Sequence, residues 1–228
     1  MTSPSRSAAA LIALVVMAAL AALHGQQRRH PVSGRVLAPT MGVEGAAWLD
    51  RPEREAEEAP SKAIAALDIR PGAVVADVGA GSGYYTMRLA RVVGPTGKVV
   101  ATDLQPGMLD IIRSKIARER LTNVEVVQGR ADDPVLPAGA FDLILMVDVY
   151  HELASPQLFV RKLKEALKPD GRLVLIEFRL EDPRVPIREE HKMSVSQVRQ
   201  ELAADGFQID RVIDVLPWQH IIVLRPAR

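Results

Sequence analysis

From residue 61 onward, short apolar runs alternate with stretches in which apolar residues recur at helical spacing. The runs are Ala73 to Val78, Lys98 to Thr102, Val124 to Gln128, Phe141 to Val147 and Arg172 to Phe178. Between them Tyr84 to Val93, Met108 to Arg120 and Pro156 to Leu167 read as helices, and a shorter one runs from Ser61 to the turn Arg70-Pro71-Gly72. Runs such as Leu143-Ile-Leu-Met-Val147 do not alternate with polar residues, so they predict strands covered on both faces, as in parallel sheets. After a Pro-rich loop, Glu181 to Pro186, come a helix around Ser194 to Ala204 and two strands, Gln208 to Val215 and Gln219 to Leu224. Pro217-Trp218 leaves too little chain for a crossover, so this last pair is expected antiparallel. The pattern as a whole is α/β: seven strands, mostly parallel, with helices on both faces.

The first 60 residues follow other rules. Ala8 to Leu23 is an unbroken apolar run after Arg6, the layout of a secretory signal. Its sixteen residues reach roughly 24 Å as a helix, short of the roughly 30 Å hydrocarbon core. Residues 1–25 are thus expected to be a cleaved signal peptide, with an uncleaved membrane anchor as the alternative. Export or a periplasmic address follows from the first; a cytoplasm-facing anchor agrees with Arg28, Arg29 and Arg35 outnumbering Arg6. Residues 26–60 read as an extended arm rich in helix breakers (Pro31, Gly34, Pro39, Gly42, Gly45) and then charge. In it Trp48 is either a lid over a cleft or a pin holding the arm to residues 61–228, the main domain.

Composition narrows the function. Basic residues number 29 and acidic 28, too even for the basic footprint of sequence-independent nucleic-acid binding, so no nucleic-acid partner is expected. The absence of cysteine excludes disulfides, thiolate metal sites and a cysteine nucleophile. Membrane contact is expected only through residues 8–23, and nothing in the pattern fixes an oligomeric state.

Candidate chemistry begins at the first strand-to-helix turn, Asp77-Val-Gly79-Ala80-Gly81-Ser-Gly83. Alternate glycines let a ligand lie against the backbone ahead of a helix N-terminus. A dinucleotide fingerprint wants Gly or Ala where Tyr84 stands, which argues against nicotinamide chemistry. Asp77 is costly to bury among valines unless it meets a cation or backbone donors. Asp103, ending the second strand, stands where a carboxylate accepts from a ribose diol.

Taken together, Asp77 to Gly83, Asp103-Leu104 with Met108, Phe141-Asp142, and Leu167-Lys-Pro-Asp-Gly171 resemble the class I S-adenosylmethionine-dependent methyltransferases over roughly residues 61 to 225. The resemblance implies a Rossmann-like fold and S-adenosyl-L-methionine as cofactor. Its amino acid end is then held by Asp77 and the backbone of Gly79, Ala80, Gly81 and Gly83, its ribose by Asp103, and its adenine by Leu104 and Met108. Many relatives carry an acid after the third strand where this chain has Arg130, which cannot accept from the adenine amino group. Asp132, or the backbone at Ala131, is left to do so, unless Asp132 and Asp133 only solvate a loop.

The acceptor side is expected at the end of the fourth strand, in Asp148-Val-Tyr150-His151-Glu152. Asp148 is assigned to the cofactor, His151 to general base, Glu152 to its orienter and Tyr150 to a hydroxyl donor or wall. No metal is expected: the helical zinc pattern fails because position 155 is serine, and His191, on the loop after the fifth strand, reads as a solvated residue, with assistance to a metal or substrate site as the alternative. The expected activity is methyl transfer to a small-molecule or amphiphilic acceptor. Two alternatives stay open, an inactive cofactor-binding module and an NAD(P)-dependent oxidoreductase.

Overall fold

The computed structural model describes residues 28–227, so the signal peptide or anchor expected over residues 1–25 lies outside the described residues. Among those described, no helix is long and apolar enough to cross a membrane.

Five parallel strands form the centre: β1 (Val74–Val78), β2 (Lys98–Asp103), β3 (Val124–Gln128), β4 (Phe141–Val147) and β5 (Leu167–Arg179). Two further pieces, β6 (Lys192–Met193) and the hairpin β7 (Phe207–Ile213) with β8 (Gln219–Pro226), complete the sheet. The order is β3-β2-β1-β4-β5-β8-β7, with β8 antiparallel to both neighbours. The expected seven strands become eight because of β6, two residues that pair parallel with Phe178 and Arg179. Strand β5 also begins earlier than expected. Leu167 pairs with Phe141 across a register shift, and Asp142 ties the corner by accepting from Val74 N–H at 2.8 Å and from Lys168 Nζ at 2.8 Å.

Three short helices, α1 (Ala46–Leu49), α2 (Arg54–Glu58) and α3 (Pro60–Ala66), precede the sheet. The longer helices are α4 (Tyr84–Val93), α5 (Pro106–Glu119), α6 (Pro156–Ala166) and α7 (Val195–Ala204). Helix α7 starts with a capping box, Ser194 Oγ accepting from Gln197 N–H while Gln197 Oε1 accepts from Ser194 N–H. Successive residues of β1 and β4 point to opposite faces, so Ala76, Ile144 and Met146 pack on α6 and α7 while Val75, Leu143 and Leu145 pack on α3 and α4. Both layers are buried, as the apolar runs require.

The arm is not extended throughout as expected; residues 43–58 are largely helical. Its first part is pinned by a buried polar knot. Glu201 of α7 accepts from Arg35 Nε at 2.8 Å, from His30 Nε2 at 3.2 Å and from Ser33 Oγ. With Arg35 fixed there, its Nη1 also reaches the carbonyl of His151 at 3.0 Å. The arm is thereby joined to the turn that follows β4.

Candidate active site

The strand order reverses between β1 and β4, and crevices open at such switch points beyond the strands' carboxyl ends. A cavity of about 710 Å³ opens there. On the β1 and β2 side it is walled by Gly79, Gly81, Asp103, Leu104 and Met108. Gly79 and Gly81 have φ of 68° and 52°, and a Cβ would sit 2.6 Å from Val149 Cγ2 at the first and 2.8 Å from Leu49 Cδ1 at the second. The turn therefore needs glycine both for its backbone and for its space. Gly79 and Ala80 N–H groups both donate to Thr102 O, which makes Ala80 a strut outside the wall. Gly83 likewise serves the turn, with φ of 79°, its N–H on Ala80 O and no place in the wall.

Asp103 is oriented by its backbone partners: Gly81 N–H donates to Oδ2 and Gln105 N–H to Oδ1, each at 2.9 Å. Each oxygen keeps a second lone pair for a diol. Burial pushes its carboxyl up despite these donors. Leu104 remains 47% exposed at the wall, a large apolar surface that a flat ring would cover.

The amino acid end differs from expectation. Asp77 is 2% exposed, does not reach the cavity, and accepts from Thr86 Oγ1 at 2.5 Å. Burial raises its pKa to about 6. Asp148 takes the place intended for it. Its Oδ2 accepts from Gln219 Nε2 at 2.7 Å, while Oδ1 is buried with no hydrogen-bond partner among the described residues. Its backbone is left-handed, φ 54°, which turns the side chain at the end of β4. Burial, and repulsion from Glu58 and Glu177, raise its pKa well above normal; Arg54 opposes this. Arg54 also lines the cavity, paired to Glu58 at 2.7 Å and stacked 4.5 Å from the Tyr84 ring centre. An unpartnered carboxylate oxygen and a nearby guanidinium suit an α-ammonium and an α-carboxylate, so the donor set fits S-adenosyl-L-methionine.

On the acceptor side, residues 150–152 form a 3-10 turn. His151, 1% exposed, donates from Nδ1 to Glu177 Oε2 at 2.6 Å, so the orienter is Glu177 and not the expected Glu152. Glu152 Oε1 lies 3.8 Å from Nε2, and burial raises its pKa to about 7. Tyr150 does not face the cavity. Its hydroxyl lies 3.3 Å from His30 Nε2, so it anchors the arm and is no substrate group here. Asp132 is exposed and off the wall, and Asp133 pairs with Arg130 at 2.9 Å, so of the adenine contacts expected after the third strand only Ala131 reaches the cavity, beside Leu104 and Met108. His191 is not a solvated loop residue: its Nδ1 lies 3.1 Å from His151 Nε2.

Three lining or supporting residues have no sequence motif of their own: Arg54, Glu177 and His191. Glu177 carried a signal nonetheless, an acid inside the buried run Leu173 to Phe178, costly there without a partner.

A doubly wound sheet ending in an antiparallel hairpin, with an acid for a ribose and a zwitterion's counter-charges at its switch point, defines a nucleoside-cofactor-binding protein of the class I methyltransferase fold. The methyltransferase domain family matches residues 75–171. A crystal structure of a SAM dependent methyltransferase from Aquifex aeolicus superimposes with a TM-score of 0.76 at 30% identity, covering 81% of this chain and 98% of that one. Ubiquinone/menaquinone biosynthesis C-methyltransferases UbiE are similar over 111 residues, 32% identical in Hahella chejuensis and 35% in Escherichia fergusonii, or 48% of this chain. The chain spans about half the length of these curated relatives, 45% and 44% respectively. It belongs to the SAM-dependent methyltransferases, with S-adenosyl-L-methionine as cofactor, which sets the oxidoreductase alternative aside.

Proposed function

We propose that this protein transfers the methyl group of S-adenosyl-L-methionine to a small, amphiphilic acceptor of the ring-hydroxylated kind. The observation that carries this reading is one continuous cavity, shared by the cofactor cradle and by His151 with its buried carboxylate. The cofactor supplies a methyl group on a sulfonium, whose departure is neutral and needs no proton. Positioning and dryness therefore matter most on the protein's side. Val149, Leu153, Phe159 and Phe178 give the acceptor end apolar walls, which suit an amphiphilic molecule. Glu177 keeps the proton of His151 on Nδ1, so Nε2 offers its lone pair toward the cavity and receives a proton where the acceptor atom carries one. The arm, through Trp48 and Leu49, covers the glycine turn and keeps water out. The similarity to quinone-biosynthesis C-methyltransferases supports a ring-bearing acceptor.

The test is S-adenosylhomocysteine release over a panel of phenols, hydroquinones and aliphatic controls. Turnover with the ring acceptors is expected. Cofactor binding without turnover on any acceptor would favour the inactive-module reading instead. The apolar run at residues 8–23 is proposed as an export or anchoring address, to be checked by fractionation and N-terminal sequencing of the native protein.

A further inference from the structure

We propose that His151, Glu152 and His191 form a binding site for one divalent transition-metal cation, of the zinc or iron(II) type, at the acceptor end of the cavity. Three donor atoms converge there. His151 Nε2 and His191 Nδ1 are 3.1 Å apart, and Glu152 Oε1 lies 3.8 Å from the first and 3.9 Å from the second. A point in the plane of these atoms lies about 2.1 Å from all three, the bond length of zinc to imidazole nitrogen and carboxylate oxygen. Direct hydrogen bonding joins the two rings to each other but does not bring in the carboxylate, because Glu152 Oε1 is beyond hydrogen-bond reach of both. A cation would give all three atoms a common partner.

The surroundings match such a site. Glu177 accepts the Nδ1 proton of His151 at 2.6 Å and so leaves Nε2 as an oriented lone pair, the arrangement that supports metal-bound imidazoles. The fold explains how His191 arrives. Strand β4 stops pairing with β5 at Val147 opposite Ile176, and β6 takes over the same edge at Lys192 opposite Phe178. The residue before β6 is thereby laid over the turn that follows β4. Two imidazoles and one carboxylate select borderline cations over magnesium or calcium, which prefer all-oxygen sets.

All three side chains line the cavity, so a fourth position would face the acceptor. A hydroxyl bound there would be acidified by the cation and give its proton to bulk water, and the cation would then replace His151 as the group that stabilises the oxyanion. This last step rests on the methyltransferase reading; the ion site does not.

Untagged full-chain protein is stripped with a chelator and titrated calorimetrically with Zn²⁺, Co²⁺ and Mg²⁺. One equivalent of Zn²⁺ or Co²⁺ is expected to bind, with Mg²⁺ at least about a hundredfold weaker. Glu152→Gln and His191→Ala should each weaken Zn²⁺ by about tenfold or more. Both should keep the wild-type unfolding temperature in chelator and the wild-type affinity for S-adenosyl-L-methionine. No saturable Zn²⁺ or Co²⁺ binding, or variants that bind like the wild type, would overturn the site. Ion binding in a protein that produces no S-adenosylhomocysteine would support the site and refute the methyl-transfer reading alone.

Discussion

Glu177 holds His151 by a 2.6 Å hydrogen bond from Nδ1 to Oε2, while its other oxygen accepts Tyr150 N–H at 2.9 Å. One buried carboxylate near the carboxyl end of β5 thus fixes both the backbone of the turn after β4 and the tautomer of the imidazole it carries. The neighbour in sequence, Glu152, does neither.

Glu177→Gln keeps the volume and can still accept from Tyr150 N–H, but its amide presents N–H groups to Nδ1 and so drives the proton to Nε2. We expect kcat to fall by about a hundredfold, with the affinity for S-adenosyl-L-methionine unchanged and the pH profile of turnover altered. Equal kcat across the pH range would remove the positioning role.

Asp77 gives the fold a pH dependence. Its pKa is about 6 in the folded protein, because of burial, against an ordinary 3.8. As pH rises from about 4 to about 6 the unfolded chain loses this proton first, so the folded state is progressively disfavoured, and the penalty persists above that window. Asp77→Asn should therefore stabilise the unliganded protein at pH 7, by up to about 3 kcal/mol, and leave stability at pH 3 unchanged. Chemical denaturation at the two pH values measures this. Equal effects at both would discard the assignment.

Gly79→Ala forces a side chain onto a backbone with φ of 68° and a Cβ to within 2.6 Å of Val149 Cγ2. A loss of about 1–3 kcal/mol in stability is expected, together with at least tenfold weaker binding of S-adenosyl-L-methionine in calorimetry. Wild-type affinity in a folded variant would show that the turn does not cradle the cofactor.

Trp48 stands 39% exposed at the cavity wall with the Arg51 guanidinium 3.7 Å from its ring centre. Trp48→Ala should raise the Kd for the cofactor by about tenfold, at an unfolding temperature close to that of the wild type. A large drop in unfolding temperature with unchanged Kd would make Trp48 a pin and not a cover.

Glu201→Ala strips the buried partner from Arg35 and His30. Leaving a buried guanidinium unpaired costs about 3 kcal/mol. The unfolding midpoint should fall accordingly, and limited proteolysis should open the arm near residues 30–38 before the sheet domain. Cleavage that begins elsewhere would contradict the latch.

Much of the fold was legible because burial writes itself into periodicity. Strands covered on both faces must be apolar without alternation, so β1 and β4 were visible within a residue of their observed ends. The glycine turn and Asp103 were legible for a related reason, since close ligand approach and a diol each demand a particular residue type at one point of a βα unit. The 3-10 and helical turns of residues 43–58 were not, because Pro and Gly there mark breaks without saying what lies between them.

The sequence by itself determined the parallel core, the antiparallel hairpin and the nucleoside end of the cradle, all of them set by local patterns. Tertiary structure decided the rest: that Asp148 and not Asp77 offers a free oxygen to the cavity, that Tyr150 holds the arm, and that Glu177 and His191 meet His151. The reason is distance along the chain. Glu177 lies 26 residues from His151, and His191 lies 40. Only the side-by-side pairing of β4, β5 and β6 brings these groups within hydrogen-bond reach, and no spacing in the sequence encodes a contact made across a sheet.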